Sequence, residues 1–174
     1  DRFLARRVYA PLGLRETTFR PLAAWIPAAR IAPTEKLGPR PLLGIVHDPI
    51  ARGLGGVSGN AGLFASARDL ATLASALLWE TPGRIVCRDV VEQFTRPVRD
   101  DTYALGWETA APTTSWGAIL SRSAYGHTGY TGTSLWIDPE HDLFVVLLTN
   151  RVNPTARNQR HVALRRELHR SEEH

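Results

Sequence analysis

The chain has 174 residues, 43% of them hydrophobic, and carries a net charge of +4 at pH 7, enough apolar material for one globular domain with its own core. A single cysteine, Cys87, excludes an internal disulfide framework and any cysteine-rich metal centre, and reads as a small, partly buried hydrophobe. The positive charge is almost wholly arginine, with Lys36 the only lysine, and no apolar run is long enough to cross a bilayer.

Methionine is absent, and the chain opens on Asp1-Arg2-Phe3-Leu4-Ala5-Arg6-Arg7 as though already inside a helix, so a piece of a longer reading frame is expected. Phe3, Leu4, Val8 and Tyr9 keep helical spacing until Pro11-Leu12-Gly13 ends it. From about Thr17 to Gly56, Pro21, Pro27, Pro33, Pro39, Pro41 and Pro49 break every candidate element. The reading is a long, ordered surface excursion, which at this length is more often functional than idle. His47-Asp48 and Ser58 could be taken as parts of a triad, but adjacent residues on an extended chain face opposite ways. Asp48 reads instead as a turn residue ahead of Pro49. Gly56-Val57-Ser58-Gly59-Asn60 is one residue short of a Gly-x-Ser-x-Gly elbow and also contains a Ser-x-Asn element. It lacks the strand before and the helix after that an elbow needs, and reads as a turn.

Ser66 begins the best-defined helix, with Asp69 as a capping-box-like partner and Leu70, Leu73, Ala74, Leu77 and Leu78 as its apolar stripe. A shorter helix is expected over Asp89 to Thr95, closed by Pro97, and a strand over Tyr103 to Trp107. A polar loop then leads to the most informative stretch, Gly126-His127-Thr128-Gly129-Tyr130-Thr131-Gly132, whose glycines permit close approach of a backbone or a ligand. Ser134 to Pro139 and Leu143 to Thr149 follow as β-prone segments around the turn residues Pro139-Glu140-His141-Asp142, predicting a hairpin. On these residues alone His127 is either a structural histidine of a glycine-rich strand or a group facing a ligand. A helix is expected from about Ala156 to His169. Its arginines, Arg157, Arg160, Arg165, Arg166 and Arg170, are interspersed with Val162, Leu164, Leu168 and glutamates, as on a solvated face rather than a nucleic-acid footprint. The histidines show no metal-ligand spacing. Helices and loops, then three antiparallel strands, then a covering helix predict an α+β layer architecture.

Four motifs stand in register: Tyr9-Ala10-Pro11-Leu12-Gly13-Leu14; Gly55-Gly56 through Gly62-Leu63-Phe64-Ala65-Ser66-Ala67-Arg68-Asp69-Leu70-Ala71; Tyr103-Ala104-Leu105-Gly106-Trp107; and Gly126-His127-Thr128-Gly129. In this order and spacing the chain resembles the C-terminal part of the serine β-lactamase-like family, which includes class C β-lactamases, DD-peptidases and related esterases. The resemblance covers nearly all of the sequence. It implies an α+β fold, an antiparallel sheet with covering helices, without the family's N-terminal strands and nucleophile helix. A sheet edge left open in that way would favour association and lower solubility.

It also implies hydrolysis of an amide, lactam or ester through an acyl-enzyme, on a small-molecule or peptidoglycan-like substrate, without cofactor, metal or nucleic acid. His127-Thr128-Gly129 is similar to the family's Lys/His-Thr-Gly strand. By that resemblance His127 tunes the proton network, Thr128 contacts the substrate carboxylate or amide, Gly129 completes the catalytic strand, and the Tyr130 backbone N–H supplies half of an oxyanion hole. Arg157 corresponds to an arginine near the substrate carboxylate, a task suited to a bidentate fork, although the connection here is one residue shorter. The family's Ser-x-x-Lys and Tyr-x-Asn are absent; the residue three before Lys36 is Pro33. These residues are therefore expected to supply one wall of an acyl-transfer site and not to turn over alone. The alternative is a peptidoglycan- or peptide-binding module of the same fold without the chemistry. Relatives are often exported, but no export signal is visible in these residues.

Overall fold

The computed structural model describes residues 1–79, 85–98, 102–111, 116, 119–157 and 160–171. The chain begins in a helical run, α1 (Arg2–Leu4), a π-helical stretch (Ala5–Tyr9) and α2 (Ala10–Leu12), which ends at Gly13 as its sequence predicts. The excursion that follows is mostly irregular, with a 3₁₀ turn at Ala28–Arg30 and a small hairpin of β1 (Lys36–Leu37) and β2 (Arg40–Pro41). Pro49 departs from expectation. It opens helix α3 (Pro49–Gly53) instead of breaking an element, because a first-turn residue has no use for the N–H that proline lacks. Asp48 caps that helix, accepting from the Ala51 N–H at 2.7 Å.

Helix α4 (Ala67–Leu78) starts where its cap predicts, with the Ser66 side chain accepting from Asp69 N–H. The Asp69 carboxylate does not stay local. It accepts from Glu16 N–H at 2.8 Å and Thr17 Oγ1 at 2.7 Å, tying the segment after α2 to the helix from a buried position. Helix α5 (Arg88–Thr95) lies close to its predicted span. Cys87 stands at its N-cap and is exposed, contrary to the expected partial burial, because the helix start faces solvent. Tyr103 to Trp107 is not a strand. Tyr103 bridges Glu108 and Ala104 N–H bonds Trp107 C=O, so the chain turns through Gly106 at φ +83° and the strand begins one residue later, as β3 (Glu108–Thr109).

β4 (Tyr125–Thr128), β5 (Thr133–Asp138) and β6 (Leu143–Leu148) complete an antiparallel sheet in the order β3-β4-β5-β6. Among the described residues no further strand covers the outer edge of β6. Strand alternation assigns the two faces. Tyr125 and Ile137 pack with Ala74, Leu77, Leu78 and Val91 under α4 and α5, while Ala124 and Trp136 pack with Ala110, Trp116 and Leu120 on the opposite side. Asp138 closes β5 as a buried carboxylate that accepts from Ser121 N–H at 2.9 Å and from His141. Burial pushes its pKa up, but the bonds from Ser121 and His141 outweigh that and hold it below the usual value.

Helix α6 (Arg160–Ser171) begins later than the expected Ala156, and Glu172 and Glu173 lie outside the described residues. It covers the Trp136 face through His169, which is fully buried, lies 3.0 Å from Ser134 Oγ and meets the Trp116 ring edge-on at 5.2 Å. Arg165 on the same helix donates to Thr133 C=O at 3.2 Å. One of the expected solvated arginines thus belongs to the packing of helix on sheet.

Burial, helped by the Arg165 charge, lowers the His169 pKa from 6.5 to about 4. A histidine depressed in the folded state leaves stability intact above pH 6.5 and loses it as pH falls toward about 4, because the unfolded chain takes up the proton first. The expected loss over that window is on the order of 3 kcal/mol. Denaturant unfolding across the same window checks this against His169→Gln, which keeps a partner for Ser134 without the charge. An acid slope as steep in the variant as in the parent would refute it.

Candidate functional site

The hairpin register places the central motif at one end of the sheet. Gly126 pairs with Trp136, His127 with Leu135 and Thr128 with Ser134 on one side, while Glu108 pairs with Gly126 on the other. Gly126 has to be glycine, since an added Cβ would stand 2.3 Å from Leu135 C=O and 2.5 Å from the Trp136 indole. With no side chain there, β4 lies tight against β5, and His127 and Thr128 emerge at the strand's end.

His127 is 58% exposed, and its Nδ1 lies 2.8 Å from Thr128 C=O and 3.8 Å from Glu108 Oε1. A carbonyl can only accept, so this contact assigns the proton of the neutral ring to Nδ1 and leaves Nε2 as a free acceptor. Thr128 Oγ1 donates to Glu108 Oε1 at 2.9 Å, so its lone pairs remain for a donor from outside. Glu108 joins both groups, and the sequence reading missed it. Its signal lies in register: an acid opposite Gly126 sits on the diagonal from Thr128, within reach of a long side chain.

Beyond Thr128 the chain turns tightly. Gly129 N–H bonds Thr133 C=O at 2.7 Å and Gly132 N–H bonds Gly129 C=O at 3.0 Å, while Tyr130 N–H finds no acceptor among the described residues. The Tyr130 ring has two partners. Arg151 stands over one face with its guanidinium carbon 4.1 Å from the ring centroid, and His47 stacks on the ring at 5.4 Å. His47 is held in turn by Glu35, with Nε2 to Oε2 at 3.1 Å. The excursion thus reaches the motif by latching to the chain after β6, where Asn150 and Asn153 both donate to Pro33 C=O.

The other sequence candidates make local contacts. Arg157 is exposed in the turn after Pro154, its backbone N–H 3.4 Å from Thr155 Oγ1, and the arginine brought to Tyr130 is Arg151. Ser58 Oγ donates to Asn60 Oδ1 at 2.5 Å within its own loop, while the His47 ring is turned to Glu35 and Tyr130. A depression of about 280 Å³ near the N-terminus, lined by Tyr9, Thr17 and Phe19, shares no residue with the motif. Among the described residues no group of three or more His, Cys, Asp or Glu could hold a metal ion, and no helix is long and apolar enough to cross a membrane.

The β-lactamase family model matches residues 1–170 of the chain. The chain belongs to the β-lactamase family. Curated relatives of this β-lactamase-family chain in Salmonella paratyphi B and Salmonella newport, assigned the name D-alanyl-D-alanine carboxypeptidase, are 37% identical over 179 residues. Each match covers 91% of this chain and 41% of the relative, so the chain spans well under half of their length. Among solved structures, simvastatin synthase from Aspergillus terreus is similar with a TM-score of 0.68 at 16% identity, covering 99% of this chain and 48% of that one. A β-lactamase from Mycobacterium bovis gives a TM-score of 0.52 at 22% identity over 86% of this chain and 47% of that one. At such identities the two structures speak for the fold alone. Helices over an antiparallel sheet are the α+β fold expected from the sequence, and the matches span about half of each of the two solved chains.

Proposed function

We propose that these residues form one wall of an acyl-transfer site in a serine hydrolase that acts on an amide, lactam or ester, with a nucleophile supplied by sequence outside the 174 residues. The observation that carries this reading is the pairing of an exposed His127, its Nε2 left as an acceptor, with a Tyr130 N–H that finds no acceptor among the described residues, three positions further on. A serine attacking a carbonyl lodged there would form a tetrahedral oxyanion. A backbone N–H held ready for it lowers that barrier by roughly 3 kcal/mol. His127 Nε2 takes part in the proton network that activates the serine and protonates the leaving group. Thr128 already donates its hydroxyl hydrogen bond to Glu108, so it accepts from a substrate amide N–H more readily than it donates to a carboxylate. That preference favours a peptide-like substrate, in keeping with the name assigned to the Salmonella relatives.

A binding module of the same fold is the second reading, and the lack of any Ser-x-x-Lys within the 174 residues is what favours it. The gene upstream of Asp1 separates the two. An in-frame Ser-x-x-Lys followed by Tyr-x-Asn is expected for the hydrolase; a start codon and signal sequence directly before Asp1 would favour the module. Hydrolysis of a p-nitrophenyl ester by residues 1–174 alone, abolished by replacing one of their own serines, would overturn both.

A further inference from the structure

Arg151 is a positively charged side chain with only 8% of its surface exposed, and it joins the Tyr130 turn to the chain at Ala156. Its Nε donates to Tyr130 C=O at 2.5 Å, its backbone N–H donates to Thr131 C=O at 2.9 Å, and its guanidinium covers the Tyr130 ring at 4.1 Å. A fourth contact, Nη1 to Ala156 C=O at 3.0 Å, fixes the guanidinium itself. Thr149 completes the hold by donating to Gly132 C=O. None of these contacts uses the Tyr130 N–H, which finds no acceptor among the described residues. A cation over a ring face and a charge-assisted bond to the same residue's carbonyl constrain that residue on both flanks of its Cα.

We infer that Arg151 is a positioning residue: it holds Tyr130 by ring and carbonyl so that the Tyr130 N–H stays aimed at the reacting carbonyl oxygen, with His47 bracing the ring. The inference rests on the acyl-transfer reading above. Preorganisation is what makes an oxyanion donor effective, and a misplacement of about 1 Å at such a donor costs roughly 10²-fold in rate. Arg151 never meets the substrate. Its loss therefore lowers kcat and leaves KM nearly unchanged, whereas loss of a substrate-binding group would raise KM.

The test uses the full-length product of the gene that encodes this chain. Arg151→Met keeps the buried bulk without charge or donors, and Arg151→Lys keeps the cation but lacks the Nε fork. With p-nitrophenyl acetate as probe, the methionine variant is expected to lose roughly 10²-fold in kcat with KM within about twofold, and the lysine variant to lose less. Hydrogen exchange supplies a readout independent of turnover: the Gly129 and Gly132 amides, whose bonds define the turn, lose protection in both variants. Should the methionine variant fail to fold, the lysine variant decides. Unchanged kcat, a loss seen wholly in KM, or unchanged exchange at Gly129 and Gly132 would overturn the inference. An unsubstituted protein that hydrolyses no ester would count against the acyl-transfer reading, and the exchange comparison alone would then judge the role of Arg151 in holding the turn.

Discussion

Gly126→Ala is expected to destabilise the protein by about 3 kcal/mol or more, a loss equivalent to a fall of roughly 6–12 °C in the thermal midpoint. The new methyl would meet the Leu135 carbonyl at 2.3 Å and the Trp136 indole at 2.5 Å. Neither can yield cheaply. The carbonyl belongs to the neighbouring strand, and Trp136 is only 1% exposed, wedged against Trp116 with ring centroids 4.8 Å apart. Relief would require β4 to part from β5, moving His127 and Thr128 with it. Gly53→Ala is the matched control, since its added Cβ meets nothing within 4 Å, and it should change stability by less than about 1 kcal/mol. Equal thermal midpoints for the two variants would mean that the close approach of β4 to β5 is wrong.

His127→Ala in the full-length protein is expected to lower kcat by roughly 10²–10⁴-fold with little loss of stability. The two effects separate because the side chain is 58% exposed and its polar contacts among the described residues are to Thr128 C=O and the Glu108 carboxylate. His127→Lys supplies another nitrogen base at the same place and should recover part of the rate. Steady-state kinetics beside a thermal unfolding curve make the comparison. An alanine variant within about threefold of the parent would remove His127 from the proton network and return it to a structural role.

What the sequence revealed and what it hid divide along a physical line. Signals carried within a few residues were legible: the Ser66 cap with its apolar stripe, the hairpin around Pro139 to Asp142, and the glycine-flanked His127-Thr128 pair all lie where their local chemistry puts them. Groups whose partners come from distant segments were not. Glu108 reaches Thr128 across a strand pair, Arg151 reaches back to Tyr130 from beyond β6, and His47 arrives at the ring only because Pro33 is latched by Asn150 and Asn153. Asp69 illustrates both at once, sitting at the predicted capping position while its carboxylate serves Glu16 and Thr17. Tyr103 to Trp107 misled because apolar residues in a short run look the same in a strand and in a tight turn.

The site therefore comprises more than the motif. The sequence proposes His127, Thr128, Gly129, Tyr130 and Arg157; the fold adds contacts to the motif from Glu108 at Thr128 and from Arg151 and His47 at the Tyr130 ring. These additions touch the motif from three separate segments, and none of them bonds His127 Nε2 or the Tyr130 N–H. On the acyl-transfer reading proposed above, a nucleophile from outside these residues would face it.

Intact-mass and peptide-level mass spectrometry of the full-length gene product after incubation with a penicillin or an activated ester tests that claim most directly. The account predicts one stoichiometric acyl adduct, on the serine of a Ser-x-x-Lys that lies outside residues 1–174, and slower formation of that adduct in the His127→Ala variant. An adduct on a serine within these residues, or none with any activated acyl donor, would contradict it.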